Sequence, residues 1–455
     1  MKYFLVGFFS LSLLLPLLSC HQDSSQAQTG ILQTQNDNWE SLQKEAGKLG
    51  KKTWQPMLQY VAELHQKSTH PATYPFEYEW EEIGPGYVYG PAFGHWDVVH
   101  QIIDVMPAYP THALHQLYNN VKNQEPSGLL PGSIWMVGGK DVPNMGIKRD
   151  KVDWSKKDAG HPPVWVFAVQ DYIDQTENKE VLNSFYSTLV RQITWFENVR
   201  KAEGEGFFYN DILLKKWESG IDQGIRFDLE EMGPWACVDA TSHVYLLYKT
   251  ANRWSQELGF DNSFFEKREI ELENFIQDSL FSNKEGMFYD IWAIKDGSLK
   301  QTALENMWPI VVGAATEGQA NRFIDEYLLN PEVFFTEHPP ASVGVNDPRF
   351  ELRMWRGPAW NSMAYWAARG CLNYGRNEAA AKLLEKALDN TARVFDETGT
   401  IWEFYHPLGG SPKDVQRKPH TEYNIPCKDY LGHNPVIAMA RMYQKAKQGE
   451  PGIEN

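Results

Sequence analysis

Cysteine is nearly absent from this chain, with four residues in 455. Cys20 closes the first apolar run, and Cys237, Cys371 and Cys427 lie far apart. Three remaining thiols without metal-ligand spacing argue against a disulfide framework and against a zinc site, so buried free thiols are expected. Positive charge is also scarce. Lys and Arg number 43 against 59 Asp and Glu, a formal net charge of −16, which argues against nucleic acid as a partner. Several catalytic templates are missing: no Gly-x-Ser-x-Gly, no Walker loop, no Gly-x-Gly-x-x-Gly ahead of a strand and no His-Glu-x-x-His. The 13 histidines are scattered, and His95 and His100, five apart on one helix, are poorly spaced for a shared metal. No cofactor or metal is called for, and a structural Ca²⁺ finds no support in the sequence.

The first twenty residues read as an export signal. Lys2 supplies a small positive region and Phe4 to Leu18 an apolar core too short for a membrane span. Leu17-Leu18-Ser19-Cys20 resembles the lipobox of bacterial lipoproteins, which implies cleavage before Cys20 and lipidation of its sulfur. The expected organisation is a signal peptide over 1–19, a polar tether over 20–38 and one catalytic domain over 39–450. The protein is then exported, periplasmic or at the cell surface, and meets the membrane only through the lipid on Cys20.

Against these absences stands an aromatic excess: 17 Trp, 21 Tyr and 23 Phe. Aromatic faces stack on sugar rings, although large helical cores also consume tryptophan. Apolar periodicity predicts about twelve helices, from Trp54–Gln66 through Thr302–Ala315 and Gly318–Leu328 to Pro435–Lys447. Strand-like patterns are short, as in Gly286–Trp292, and read as hairpins in loops. Six segments repeat one design, in which a Gly, Pro or Trp cluster opens a helix apolar nearly all round. They begin at Gly94, His161, Pro234, Asn306, Trp355 and Gly432, at spacings from about 50 to about 80 residues. An all-round apolar helix belongs inside and an amphipathic one outside. The predicted fold is therefore all-α: an (α/α)6 toroid of six helical hairpins with short β-hairpins in its loops, the clusters gathered at one mouth.

Two acidic stretches carry the chemistry. In Trp217-Glu218-Ser219-Gly220-Ile221-Asp222-Gln223-Gly224, two glycines bracket Asp222 in a turn. In Trp402-Glu403-Phe404-Tyr405, a carboxylate sits among aromatics and is the best candidate for a base, with Glu422, in a polar loop that also holds His420, the weaker rival. A carboxyl held partly desolvated has a raised pKa and suits proton transfer, and two facing each other are the minimal machinery for cleaving a glycosidic bond. Glu218 is close enough to couple with Asp222. Arg226 and Asp228 read as an ion pair or a clamp on the same loop. Asp97 can accept sugar hydroxyls over Trp96, or simply charge a helix start. Arg356, between Trp355 and Trp360, can hold a hydroxyl or grip a carboxylate bidentately.

Trp96-Asp97, Ser127-Gly128-Leu129-Leu130-Pro131, Pro162-Pro163-Val164-Trp165, Glu218-Ser219-Gly220-Ile221-Asp222, Trp355-Arg356-Gly357-Pro358-Ala359-Trp360 and Glu403-Phe404-Tyr405-His406-Pro407 occur in this order. The chain thereby resembles glycoside hydrolase family 63 and its mannosylglycerate hydrolase-type relatives, with trehalases as cousins, from about Pro85 to Ala440. The resemblance implies an inverting exo-α-glycosidase with Asp222 as general acid and Glu403 as base. It also implies a sugar subsite lined by Trp96, Asp97, Trp355 and Arg356; Trp165, Glu218, Arg226 and Trp360 complete the candidate substrate-binding set. Gln223-Gly224-Ile225 after the acid, Val98-Val99-His100 after Trp-Asp, and the stretch from Lys413 to His420 depart from the family pattern and bear on the substrate.

The reading is an exported α-glucosidase or α-mannosidase acting on a carbohydrate or small glycoside. A glycan-binding lipoprotein on the same scaffold is the alternative. A polysaccharide lyase or epimerase on this toroid is a weaker one, because those abstract protons with His or Tyr and this site is led by carboxylates.

Overall fold

A computed structural model describes residues 38–141, 148–154, 159–214, 217–228 and 233–449. The signal, the lipidation residue Cys20 and almost all of the tether lie outside the described residues. Fifteen α-helices run through these residues. The first pair, α1 (Trp39–Ala46) and α2 (Gln55–Lys67), precedes α3 (Asp97–Val105) and α4 (Pro110–Lys122). Next come α5 (Trp165–Thr176), α6 (Leu182–Val199), the short α7 (Asp211–Leu214), α8 (Val238–Leu258) and α9 (Ser263–Ser279). The last third holds α10 (Ile291–Lys295), α11 (Trp308–Val311), α12 (Glu317–Phe323), α13 (Asn361–Asn373), α14 (Asn377–Thr398) and α15 (Val436–Gln448).

Their burial sorts them into two rings. In α3, every residue after Asp97 is buried, and in α13 every residue before Asn373 is. In α9 only Leu272 and Ile276 are buried. Helices α3, α5, α8, α11, α13 and α15 form the inner ring, and α4, α6, α9, α12 and α14 pack outside it. The ring closes where α15 meets α3: Asp104 accepts the backbone N–H of Ala438 at 2.6 Å, and Arg441 donates to the Asp104 carbonyl, also at 2.6 Å. The sixth outer helix is α2, which packs against α14 and α15. This is the predicted (α/α)6 toroid, with the seam covered by the helix that precedes the first inner one.

Local chemistry sets the helix ends. Pro110 opens α4, where its missing N–H costs nothing. Gly259, Gly399 and Gly449 close α8, α14 and α15 in the left-handed conformation. The helix expected over Thr302–Ala315 is shorter: a 3₁₀ turn at Leu304–Met307 leads into the four-residue α11. The helix expected to Leu328 does reach it, changing to a π-helix over Ile324–Leu328. Helix α1 was not anticipated; Asn38 caps it through its side chain.

Strands are short. Thr69–His70 pairs antiparallel with Trp80–Glu81, and Phe281–Ser282 with Met287–Phe288. A three-stranded antiparallel sheet orders Ala92–Gly94, Ser133–Trp135 and Asp153–Trp154. Its first strand runs straight into Trp96 and Asp97. Inside the ring, indoles fill the space: Trp165 lies edge-on to Trp254, Trp308 lies against Trp366, and Trp366 donates its indole N–H to His100. Much of the tryptophan excess is therefore core.

Candidate active site

A cavity of about 120 Å³ opens at the end of the toroid where the inner helices begin. Segments preceding α3, α5, α8, α13 and α15 contribute to its wall, and the segment before α11 does not, because Trp308 there packs into the core against His243. Of the residues singled out in sequence, Trp96, Asp97, Asp222, Trp355, Trp360 and Glu403 line it.

Asp222 comes from the loop before α8. Asp211 accepts the backbone N–H groups of Glu218 at 2.7 Å and Ser219 at 2.6 Å, and Ser219 Oγ accepts that of Ile221, so the loop is pinned on its inner side. Gly220 has φ +76°, and a Cβ there would overlap the Trp96 ring; only glycine lets the loop press on that indole. Gln223, next to Asp222, is also left-handed at φ +59°. The Asp222 carboxyl accepts no hydrogen bond from any described residue. Burial pushes its pKa up to about 6, opposed by the charges of Lys418 and Arg417 and reinforced by Glu403.

Glu403 arrives from the far side of the ring, before α15. Its segment is tied by backbone to the Trp-Arg-Gly-Pro segment, Ala359 and Tyr405 exchanging both hydrogen bonds at 2.9 Å. The carboxylate itself is 3 % exposed. Oε2 accepts from Arg417 Nε at 2.6 Å and from the Cys427 backbone N–H at 3.0 Å, while no described residue bonds Oε1.

Asp97 is the third carboxyl. It accepts from Tyr430 at 2.8 Å, with His433 Nε2 3.6 Å away. Burial raises its pKa to about 7, and Glu403 and Asp222 both push it further up. Three carboxyls thus share one cavity and feel one another. His433 is held neutral by burial and stands edge-on to Trp96, Trp355 and Trp360. Trp355 and Trp360 stack at 3.8 Å with planes 1° apart. The result is an apolar, aromatic floor beneath polar groups able to give and take protons.

Four residues expected to bind substrate lie behind the wall instead. Trp165 is fully buried, its indole N–H donating to Gln192 at 2.8 Å. Glu218 is fully buried and saturated by Arg200, Asn210 and Gly160, so it supports the loop and does not couple to Asp222. Arg226 grips Asp239 and Asp290, not Asp228. Arg356 takes Asp228 with both terminal nitrogens and Glu351 through Nε, holding the loop that carries Asp222. Cys237, Asp239 and Asp290 come close enough to suggest a metal cradle, but the Arg226 guanidinium already meets both carboxylates.

Sequence reasoning missed His433, Tyr430, His161, Arg417, Lys418 and the aromatic Tyr87, Tyr89, Trp135 and Trp217. His161 and His433 stood in the repeating helix-start clusters, and Arg417 and Lys418 in the stretch noted as departing from the family, so a signal was present for each.

The model of the mannosylglycerate hydrolase MGH1-like glycoside hydrolase domain matches residues 91–424. Among curated proteins, an uncharacterized protein of Borreliella burgdorferi is 22% identical over 276 residues, 58% of this chain and 56% of its own length. The periplasmic trehalase of Salmonella newport is 25% identical over 259 residues, 55% of this chain and 40% of the trehalase. The chain thus spans about half the length of the curated relatives it matches. Among solved structures, the GH63 mannosylglycerate hydrolase of Thermus thermophilus in complex with Tris and D-glycerate superposes with a TM-score of 0.64 at 16% identity, over 84% of this chain and 98% of that one. The neutral trehalase Nth1 of Saccharomyces cerevisiae gives 0.57 at 13% identity, over 85% and 79%. At such identities the likeness is one of fold.

Proposed function

Because the chain belongs to the mannosylglycerate hydrolase MGH1-like glycoside hydrolase family, and so is a glycoside hydrolase on an (α/α)6 toroid, we propose that it is an exported, exo-acting α-glycosidase that inverts the anomeric centre of an α-glucoside or α-mannoside. The observation that carries this is the meeting of Asp222 and Glu403 in one cavity from different sides of the ring. Asp222, half-buried and without a hydrogen-bond partner among the described residues, holds its proton up to about pH 6 and gives it to the glycosidic oxygen as the bond to the anomeric carbon breaks. Glu403 takes a proton from a water whose oxygen attacks that carbon from the opposite face. The products are a free sugar of inverted configuration and the aglycone alcohol. Inversion needs roughly 6.5–9.5 Å between the carboxyl groups, to admit the water.

The glycone sits against Trp96, Trp355 and Trp360, with Asp97 and His433 at its hydroxyls. The related hydrolase structures with glucose and with Tris and D-glycerate support a small glycoside as substrate. Export follows from the Lys2-to-Cys20 segment and agrees with the periplasmic naming of the Salmonella relatives. Loss of labelled palmitate from a Cys20→Ser protein checks the anchor, and retained label refutes it.

The reaction is tested on a panel of α-glucosides and α-mannosides followed by proton NMR. The β-anomer of the free sugar should appear first, and Asp222→Asn should abolish turnover while still binding Tris. An α-anomer product excludes inversion, and full activity in Asp222→Asn removes the acid assignment. Binding across the panel with no turnover favours a glycan-binding protein.

A further inference from the structure

We propose that Arg417 is the positioning residue for Glu403, fixing which carboxylate oxygen faces the reaction. The proposal rests on Glu403 being the base and goes one step beyond it, into a stretch where the chain departs from its family. Three observations support it.

The first is asymmetry. Arg417 Nε and the Cys427 N–H both bond Oε2, so the two lone pairs of that oxygen are engaged while Oε1 keeps its own for a proton acceptor's task. The second is anchorage. Gln416 exchanges backbone hydrogen bonds with Leu352 and Met354, Arg417 N–H donates to Asn424, and Lys418 Nζ donates to Tyr89 at 3.0 Å. The backbone of Gln416 and Arg417 is therefore held against the segment that leads to Trp355, and the guanidinium lies over the Tyr89 ring. The third is an unspent donor. Arg417 lines the cavity, is 2 % exposed, and its Nη1 has no hydrogen-bond partner among the described residues. A buried N–H without a partner is costly to leave idle, and a water in the cavity fits as its acceptor.

Glu403 is also faced by Cys427, Tyr87 and Tyr430, and across the cavity by Asp97 and Asp222. Lys418 lines the same wall. Arg417 is the cation in direct contact with the carboxylate. It should thus act on orientation and on the ionised form together.

The test compares Arg417→Ala, Arg417→Lys and Arg417→Gln with Glu403→Ala, all in the full chain, on the glycoside that the panel identifies. Arg417→Ala should lose about 10²-fold in kcat with little change in KM, the scale expected of a misplaced catalytic group. The acidic limb of its kcat/KM profile should move to higher pH. Added guanidinium ion should restore part of kcat in Arg417→Ala and nothing in Glu403→Ala. Because removing one partner of a buried pair can unfold a protein, a crystal structure of Arg417→Gln is the second measurement, and Glu403 should be turned away from the cavity in it. Unchanged kcat and pH profile in Arg417→Ala, or an unmoved Glu403 in Arg417→Gln, overturns the proposal. An active Glu403→Ala overturns the parent reading instead.

Discussion

Asp222 and Asp97 have carboxyl pKa values raised to about 6 and about 7 from an ordinary 3.8, in both cases chiefly by burial. Two consequences follow at this scale. An acid that must hold its proton fails as pH rises through its pKa, so kcat/KM should fall by about tenfold per pH unit above the 6–7 region. The limb belongs to the carboxyls as a set, since Glu403 raises both and Asp222 also raises Asp97. The second consequence is for stability. In the folded state these groups bind protons that the unfolded chain has already released, so their contribution is fully present below about pH 4 and is lost as pH rises through 6 to 7. Asparagine at 222 cannot ionise. Asp222→Asn should therefore melt higher than the wild type by about 2 °C or more at pH 8, with the gain vanishing at pH 4. A melting difference that does not change with pH would remove burial as the cause of the shift.

At the scale of elements, the loop before α8 depends on a clamp from elsewhere in the chain. Arg356 joins the Asp228 carboxylate, the Gln223 and Gly224 carbonyls and Glu351. Asp228 and Glu351 are each 45% exposed, so solvent screens these pairs and their worth to global stability is small. Their worth to position is larger, because the left-handed Gln223 stores local strain that the clamp must oppose. Arg356→Ala should thus lower kcat by about 10²-fold with a melting temperature close to wild type. Hydrogen exchange should quicken over 217–228 and stay unchanged in α8. A large fall in melting temperature would instead make Arg356 a core residue.

The same clamp shows where sequence stops being legible. Some helix starts and stops are legible, because Pro110 and the αL glycines act within a few residues of themselves. So was the mouth, since the clusters that open inner helices must lie at one end of the ring. The azimuth of a side chain was not. Trp165 opens α5 as Trp360 precedes α13, yet one turns outward to Gln192 and the other faces the cavity. Nor was the choice of partner: Arg226 and Asp228 are two residues apart but reach Asp239 and Arg356, a pairing set by tertiary packing. Arg417 lies 14 residues beyond Glu403, and only the fold of the intervening loop brings them together.

For the whole molecule, the decisive question is what closes the ring. The family match begins at residue 91 and ends at residue 424, outside both α2 and α15. Yet α15 is the sixth inner helix, and α2 covers the seam. From α2 the core takes Met57, Leu58, Val61 and Leu64, and from α15 it takes Val436, Ile437, Met439 and Met442. At about 1.5 kcal/mol or more for each large apolar side chain, these eight are comparable with the whole net stability of a domain, about 5–15 kcal/mol. The seam also carries a bidentate contact from Arg441 on α15 to Glu45 on α1, both bonds at 2.7 Å, and the Asp104 contacts to α15. A chain trimmed to residues 91–424 should consequently be insoluble or lack a cooperative melt, although it holds Asp97, Asp222, Glu403 and Arg417. A chain of residues 38–449 should melt cooperatively and bind Tris. Circular dichroism melts of the two, side by side, decide the matter: a cooperative transition in the shorter chain would mean that five inner helices suffice and that the seam is dispensable.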